Sequence, residues 1–137
     1  MTKNSHQNHK IVDDLQNLLK KAYAPYSNVF VSAIVITNDN KKYSGVNIEN
    51  ASFSPSICAE RCAIFKAIFE GQKNAISELH LMSSTIKPLY PCGVCLQVMS
   101  EFFNPKTEIF IYDFKGKLFD VKSLESLLPF RITKASF

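Results

Sequence analysis

Two short stretches, Cys58-Ala59-Glu60-Arg61 and Pro91-Cys92-Gly93-Val94-Cys95, organise this chain. Cys92 and Cys95 are one helical turn apart, so both thiols can face a single point from the start of a helix. Cys58 is placed in the same way, at the start of the preceding predicted helix. Three thiols and a carboxylate in this arrangement are typical of a zinc site that keeps one position open, which is the form that catalytic zinc takes.

Glu60 follows Cys58 by two residues, so it lies close to the expected metal without being needed as a ligand. From that position it can carry a proton between a water molecule and a substrate. The dipoles of two helix N-termini lower the pKa values of the thiols and favour metal binding, and Arg61 adds a positive charge. A simpler alternative is that Glu60 is only a carboxylate that the start of a helix favours.

Two other interpretations of the cysteines stay open. The Cys-x-x-Cys pair can belong to a thioredoxin-like redox protein, although the Trp-Cys-Gly-Pro-Cys context of that fold is absent. Cys62, one turn after Cys58, can complete a closed structural zinc site of four thiolates. That arrangement would leave Glu60 without a task, so we expect Cys62 to be a small buried hydrophobic residue.

The length of 137 residues, with 46% hydrophobic and 20% charged residues, is that of one globular domain with a single substantial core. We expect residues 1–8 to form a flexible N-terminus and residues 9–137 to form the domain. The net charge of +4 is mild and the basic residues are scattered, which argues against a nucleic-acid surface.

The chain shows no segment close to the roughly 20 apolar residues of a membrane span. Its polar first ten residues lack the apolar centre of a signal peptide. Four cysteines without an export signal favour a metal site or catalysis over disulfides. We therefore expect a cytoplasmic protein that has no membrane partner.

Hydrophobic periodicity predicts helices over 9–22, 58–69, 92–103 and 123–128, and strands over 29–37, 42–48, 79–84, 107–112 and 117–121. The alternation of strands and helices predicts an α/β fold, a three-layer α/β/α sandwich around a five-stranded mixed sheet. The turns at 38–40 and 113–116 are so short that the strands on either side of each must be antiparallel.

The chain resembles the cytidine deaminases of the small, homotetrameric kind over nearly its whole length. The cysteine motifs by themselves indicate the wider deaminase superfamily. The run Asn47-Ile48-Glu49-Asn50 narrows the resemblance to enzymes that act on nucleosides. The stretches that carry it are Tyr23-Ala24-Pro25-Tyr26-Ser27, Asn47-Ile48-Glu49-Asn50-Ala51-Ser52, Cys58-Ala59-Glu60-Arg61 and Pro91-Cys92-Gly93-Val94-Cys95-Leu96-Gln97.

The resemblance implies a role for each matching residue. Asn47 and Glu49 would hydrogen-bond the ribose hydroxyls, although they can also be polar residues that only satisfy a loop. Glu60 would be the proton shuttle and Arg61 would support the metal site. Backbone groups of Ala59 and of the loop around Ala51 would meet the base. One Zn²⁺ per subunit would be bound by Cys58, Cys92 and Cys95.

The implied reaction is hydrolytic deamination of cytidine and 2'-deoxycytidine to uridine and 2'-deoxyuridine, with release of ammonia, in pyrimidine salvage. The resemblance also implies a cytidine deaminase-like fold and a homotetramer. Deaminases of polynucleotides and tRNA generally carry a helix where this chain has the turn at 113–116, so that turn favours a free nucleoside. The alternatives are deamination of another nucleoside-like compound such as blasticidin S, or a non-catalytic four-cysteine zinc protein.

Three departures from the family pattern concern the pocket for the base. Leu96 stands where the family usually has Arg, and Ile132 stands where an aromatic side chain usually reaches into a neighbouring subunit, with Phe130 as a possible substitute. Val29 stands where the family has a Phe that stacks on the base. The adjacent Phe30 is our candidate for that contact, although a shift of one residue turns a strand side chain to the other face.

Overall fold

The structure is a computed structural model that describes residues 3–137, and side chains from residue 9 onward. The predicted helices and strands are all present, with ends that differ by a few residues, and a 3₁₀ turn at Lys134–Ser136 was not predicted. The elements are α1 (Lys3–Leu19), β1 (Val31–Thr37), β2 (Lys42–Val46), α2 (Ala59–Phe69), β3 (Ile76–Ser83), α3 (Gly93–Phe102), β4 (Glu108–Tyr112), β5 (Leu118–Ser123) and α4 (Leu124–Leu127).

Helix α1 begins before the predicted start at residue 9 and ends before residue 22, because the chain turns before Pro25. The prediction of a flexible segment over 1–8 stays a prediction, since residues 1–2 and the side chains of 3–8 lie outside the described residues. None of the helices within residues 3–137 combines the length and apolar character that a membrane crossing requires.

The five strands form one sheet in the order β2-β1-β3-β4-β5. Strands β3 and β4 run parallel, while β1 is antiparallel to both β2 and β3, and β4 is antiparallel to β5. The prediction of a five-stranded mixed sheet is confirmed. The prediction that the turn at 113–116 joins antiparallel strands is confirmed as well.

The two faces of the sheet bury separate hydrophobic clusters, because successive strand side chains point to opposite faces. Helix α1 covers one face, where Ile11 and Leu15 pack against Ile34 and Met82. Helices α2, α3 and α4 contribute to the cluster on the other face, whose strand residues are Ala33, Val35, Leu79, Leu81, Ile109 and Ile111. This is the predicted three-layer α/β/α sandwich.

Helix α2 lies unusually close to the edge strand β2, and Gly45 makes this approach possible. A Cβ atom at Gly45 would lie 2.2 Å from the carbonyl oxygen of Ala59 and 2.5 Å from the amide nitrogen of Ala63. The backbone of the first turns of α2 is therefore seated directly on the backbone of β2. This contact fixes the height of the helix start above the sheet.

One buried polar cluster lies on the α1 face of the sheet. His80 is only 1% exposed and stacks on Phe110 with ring centroids 4.6 Å apart. Its Nδ1 lies 3.0 Å from the Tyr112 hydroxyl and its Nε2 lies 2.9 Å from a Glu78 carboxylate oxygen. The hydrogen bond with His80 lowers the pKa of Glu78, and burial raises the pKa of Tyr112 to about 12.

Candidate metal centre and substrate cavity

Three loops meet at one end of the sheet. Because Val31 at the start of β1 pairs with Ser83 at the end of β3, the segments 23–30 and 84–92 come together. Because Ser32 pairs with Val46 at the end of β2, the loop 47–58 joins them. Helices α2 and α3 begin directly after two of these loops. The topology thus brings two helix N-termini and three loops to the same place.

The three predicted zinc ligands form one cluster. Cys58 is the N-cap of α2, Cys92 is the N-cap of α3, and Cys95 lies in the first turn of α3. The Sγ atom of Cys92 lies 3.8 Å from that of Cys58 and 3.6 Å from that of Cys95. All three sulfur atoms lie within 4.8 Å of one another. The structure therefore brings together thiols that are 34 residues apart in the chain.

The cluster fits a zinc ion. A tetrahedral Zn²⁺ with bonds of about 2.3 Å to sulfur holds its thiolates about 3.8 Å apart, close to the distances of Cys92 from Cys58 and from Cys95 in the cluster. The side chains of Cys58 and Cys92 make no capping hydrogen bond, so their sulfurs are free to face the unpaired amides and positive dipole ends of α2 and α3. Three thiolates also leave one of the four positions for a water molecule or substrate.

Neighbouring groups shift the pKa values of Cys58 and Cys95 in opposite directions. Interaction with the Cys95 thiol, followed by hydrogen bonding from Arg61, holds the pKa of Cys58 well below its usual range despite burial. The same interaction with Cys58, together with burial, raises the pKa of Cys95. Arg61 places a guanidinium nitrogen 3.7 Å from the Cys58 sulfur and 3.5 Å from the Ser56 carbonyl oxygen. Arg61 thus stands where the sequence predicted a supporting positive charge.

Cys62 is not part of the cluster. It is half-buried on α2, near the close contact of that helix with Gly45, and burial raises the pKa of its thiol. The thiols whose sulfur atoms lie close enough together to share one metal ion are those of Cys58, Cys92 and Cys95, and Cys62 is not among them. This arrangement argues against the four-thiolate structural site and supports a site with an open position.

Glu60 lies beside the cluster and is 4% exposed. Burial is the main cause that raises the pKa of this carboxyl to about 7, and the negative charge of Cys58 adds to it. A carboxyl group with a pKa near 7 can accept and release a proton at neutral pH, which is the requirement for a general acid–base. The alternative that Glu60 only stabilises a helix start does not explain why this carboxylate is buried.

A cavity of about 430 Å³ opens onto the cluster. Its volume lies within the usual range for small-molecule sites. The lining includes the predicted residues Asn47, Glu49, Cys58, Ala59, Glu60, Arg61 and Cys92. The rest of the lining is Ser27, Val29, Val31, Phe53, Ser56, Ile57, Leu81, Leu89 and Tyr90. The cavity therefore has a mainly apolar lining, with the polar residues Asn47 and Glu49 and the acidic residue Glu60 at its wall.

Asn47, the first residue of the loop 47–58, connects that loop to the start of β1 and to the segment before it. Its Oδ1 accepts a hydrogen bond of 2.8 Å from the Val31 amide, and its Nδ2 donates one of 2.8 Å to the Val29 carbonyl oxygen. An amide group has a second N–H and a second lone pair, so each end keeps one hydrogen-bonding site. The side chain is thus both a structural anchor and a partner that remains available to a ligand.

Glu49 holds the loop that precedes β1. Its carboxylate accepts hydrogen bonds from the amides of Tyr26 and Ser27, both 3.1 Å, and from the Ser27 hydroxyl at 2.5 Å. These bonds, that of the Ser27 side chain foremost, lower the pKa of Glu49. The carboxylate is therefore ionised at neutral pH and still has lone pairs to offer.

Two candidate base contacts do not lie in the cavity. Phe30 lines a separate shallow depression with Leu19, Lys20 and Ser84, whereas Val29 lines the cavity. The alternation of side chains along an extended segment is the reason, so Phe30 does not replace the missing aromatic residue at Val29. Ala51 is exposed in its loop and lies outside the cavity lining. Ala59, by contrast, is fully buried and lines the cavity.

The other two departures from the family pattern, Leu96 and Ile132, differ in burial. Leu96 is 8% exposed and packs in the cluster under α2 and α3, where an arginine charge would meet apolar neighbours. Ile132 is exposed, and its carbonyl oxygen accepts a hydrogen bond of 2.9 Å from Gln97 on α3. Phe130 is exposed almost completely. Neither Ile132 nor Phe130 lines the cavity of its own chain.

Sequence reasoning missed Ser27, Phe53 and Tyr90 as cavity residues. Ser27 belongs to the stretch Tyr23-Ala24-Pro25-Tyr26-Ser27, and Tyr90 directly precedes Pro91 of the second cysteine stretch. Their positions in the sequence therefore indicated that they lie near the site. The carboxylate partners that fix them, Glu49 and Asp120, are 22 and 30 residues away, and spacing alone does not reveal such pairs.

Comparison with known proteins agrees with this geometry. The family model for the cytidine and deoxycytidylate deaminase zinc-binding region matches residues 5–111. A cytidine deaminase of Sporosarcina psychrophila is 34% identical over 125 residues, which cover 91% of this chain and 90% of that protein. One of Mycoplasma genitalium is 39% identical over 103 residues, which cover 75% of this chain and 78% of that protein.

Comparison of the fold with solved structures agrees with the sequence matches. The crystal structure of cytidine deaminase from Burkholderia pseudomallei superposes with a TM-score of 0.84 at 37% sequence identity, and the match covers 96% of this chain and 100% of that one. The resemblance noted from the cysteine motifs is confirmed. The chain belongs to the cytidine and deoxycytidylate deaminase family.

Proposed function

We propose that this protein is a zinc-dependent deaminase that hydrolyses cytidine and 2'-deoxycytidine to uridine and 2'-deoxyuridine, with release of ammonia. The observation that carries the proposal is a buried glutamate, Glu60, that opens into the same cavity as a cluster of three thiols with the spacing of zinc ligands. The names of the relatives support cytidine as the substrate.

Cys58, Cys92 and Cys95 would hold the metal. When bound there, zinc supplies a Lewis acid that makes a water molecule a nucleophile near neutral pH. Glu60 would take a proton from the attacking water molecule and deliver it to N3 of the cytosine ring as the oxygen adds to C4. Glu60 would then carry the remaining proton of the added hydroxyl group to the amino group, so that the oxygen becomes the C4 carbonyl, the C4–N bond breaks and ammonia leaves. The pKa of the Glu60 carboxyl, which is about 7, suits a group that both takes up and releases a proton.

Asn47 and Glu49 would hold the sugar. Both line the cavity, and each keeps hydrogen-bonding capacity after its contacts with the loop before β1. A carboxylate acceptor and an amide suit a pair of ribose hydroxyls. Their existing hydrogen bonds fix both side chains before substrate arrives, which lowers the entropy cost of binding.

The protein would act on free nucleosides in pyrimidine salvage, in the cytoplasm. The size of the cavity and the mild charge of +4 support a small substrate over a polynucleotide. We also propose a homotetramer. Large apolar side chains that are exposed in the single chain, such as Phe69 and Phe130, support association with other copies.

The test is a deamination assay over cytidine, 2'-deoxycytidine, blasticidin S and cytosine, with zinc measured on the same protein sample. We expect turnover of the first two compounds. Glu60→Gln should keep its zinc and lose about 10²–10⁴-fold in kcat, because the proton carrier is removed while the thiols remain. Glu101→Gln, the same change at an exposed position of α3, is the matched control.

Full activity of Glu60→Gln would contradict the proposed mechanism. Turnover of blasticidin S without turnover of either nucleoside would replace the proposed substrate while leaving the role of Glu60 intact.

A further inference from the structure

Two aromatic side chains, Phe53 and Tyr90, line the cavity, and they differ in exposure. Phe53 lies in the loop after β2 and is 79% exposed. Tyr90 lies in the loop between β3 and α3 and is 41% exposed, so more than half of its side chain is covered. Phe53 is therefore the more exposed wall of the cavity, and Tyr90 is the more covered one.

Asp120 on β5 holds the ring of Tyr90 from outside the cavity. The Tyr90 hydroxyl donates a hydrogen bond of 2.5 Å to the Asp120 carboxylate, across 30 residues of sequence. The same carboxylate accepts a hydrogen bond of 2.9 Å from the Val121 amide and lies 3.2 Å from the Lys122 ammonium group. Since the acceptor is itself fixed at two further points, the ring has little freedom to turn.

Tyr90 lies at the end of the cavity where the chemistry takes place. It precedes the metal-binding Cys92 by two residues, and both side chains line the cavity. Ser27 and Glu49 lie toward the opposite end, since they also line a neighbouring depression that none of the cysteines reaches. A substrate whose reacting carbon is at the cysteine cluster would therefore place its base, not its sugar, beside Tyr90.

We propose that Tyr90 is a specificity-determining residue, whose ring, positioned by Asp120, forms the fixed wall against which the substrate base lies and which limits the room for substituents on that base. The inference rests on the proposed function and adds to it a determinant of which pyrimidines are accepted. Tyr90 acts by contact with the substrate, and Asp120 is a positioning residue that acts through Tyr90.

Steady-state kinetics with cytidine and 5-methylcytidine test this role. Tyr90→Phe keeps the ring but frees it, so we expect KM for cytidine to rise about fivefold with kcat nearly unchanged. Tyr90→Ala removes the wall, so KM should rise further, by about tenfold or more, and the preference for cytidine over 5-methylcytidine should fall by about the same factor. The double variant Tyr90→Phe/Asp120→Ala should be no worse than Asp120→Ala alone.

Tyr23→Phe is the matched control, because this tyrosine is 55% exposed and lies outside the cavity lining. Zinc content and Tm are measured for every variant, since Tyr90 is close to Cys92 in the chain. The inference is overturned if Tyr90→Ala leaves both KM and the substrate preference unchanged. It is also overturned if the loss of activity only follows a loss of zinc or of stability, with the preference unaltered.

The two proposals fail in different ways. If the unaltered, zinc-loaded protein deaminates cytidine while the Tyr90 variants keep its KM and its preference, only the role of Tyr90 is wrong. If the unaltered protein deaminates neither compound, the proposed function is wrong and the role of Tyr90 falls with it.

Discussion

Gly45→Ala tests whether the seat of α2 on β2 determines the geometry of the site. The added Cβ would lie 2.2 Å from the Ala59 carbonyl oxygen, 2.5 Å from the Ala63 amide nitrogen and 2.8 Å from the Cys62 Cβ. The first two contacts are with backbone atoms inside a helix, so no side-chain rotation relieves them. The start of α2 must move away from the sheet by about 1 Å to restore normal contact distances.

The expected cost has two parts. Overpacking of a close contact typically costs about 1–3 kcal/mol of folding free energy, which for a chain of this length lowers Tm by about 4–12 °C. The shift also displaces Cys58 and Glu60, which begin the same helix. A displacement of about 1 Å in a catalytic group can reduce kcat by about 10²-fold, so activity should fall further than the unfolded fraction explains.

The measurements are Tm by calorimetry, zinc content, and kcat for cytidine at a temperature where the variant is fully folded. Gly93→Ala is the matched control, since a Cβ at Gly93 meets nothing within 4 Å and the residue is in α3. It should keep stability and activity, and alanine is the better helix former. A Gly45→Ala protein with unaltered Tm and kcat would refute the idea that this backbone contact positions the site.

Three further outcomes follow from the contacts described above. Cys62→Ser should keep its zinc and most of its activity, because this thiol lies outside the metal cluster. Glu49→Gln should raise KM for cytidine by about tenfold with a smaller change in kcat, because a charged hydrogen-bond acceptor is lost at the proposed sugar site. Glu78→Gln should lower the free energy of unfolding at pH 7. The difference from the unaltered protein should shrink as the pH falls below 4.5, because the folded-state pKa of Glu78 is depressed by its hydrogen bond with His80.

Each of these outcomes has a result that contradicts it. Release of zinc from Cys62→Ser would favour the four-thiolate structural site. An unchanged KM in Glu49→Gln would leave that residue as a loop anchor alone. For Glu78, the matched control is Glu108→Gln on the adjacent strand, in register with Glu78. A stability difference between Glu78→Gln and the unaltered protein that persists at low pH would show that the ionised carboxylate is not its source.

Much of the fold was predictable because it depends on short-range patterns. The periodicity of apolar residues located the helices and strands, and the turn at 113–116 determined that β4 and β5 are antiparallel. The order of the sheet was not predictable in this way. That β1 lies between β2 and β3 depends on pairings between residues about 50 positions apart, such as Val31 with Ser83.

The candidate site likewise has parts that short-range patterns predict and parts that long-range contacts decide. The sequence by itself determined the two halves of the metal cluster, because Cys58 and Glu60 begin one helix while Cys92 and Cys95 share one turn of another. That the two helix starts meet depends on the pairing of β1 with β2 and β3. Local geometry relates the residues within each helix start, and it needs no knowledge of the rest of the chain.

Only the tertiary structure decided what surrounds the substrate. It turned Phe30 away from the cavity, placed Asn47 and Glu49 as anchors of the loop before β1, and fixed Tyr90 through Asp120. These contacts join loops to strands that are far apart in the chain, and their side-chain directions depend on strand register and on packing. Spacing in a sequence encodes neither, so the zinc chemistry can be inferred from motifs while the pocket for the base cannot.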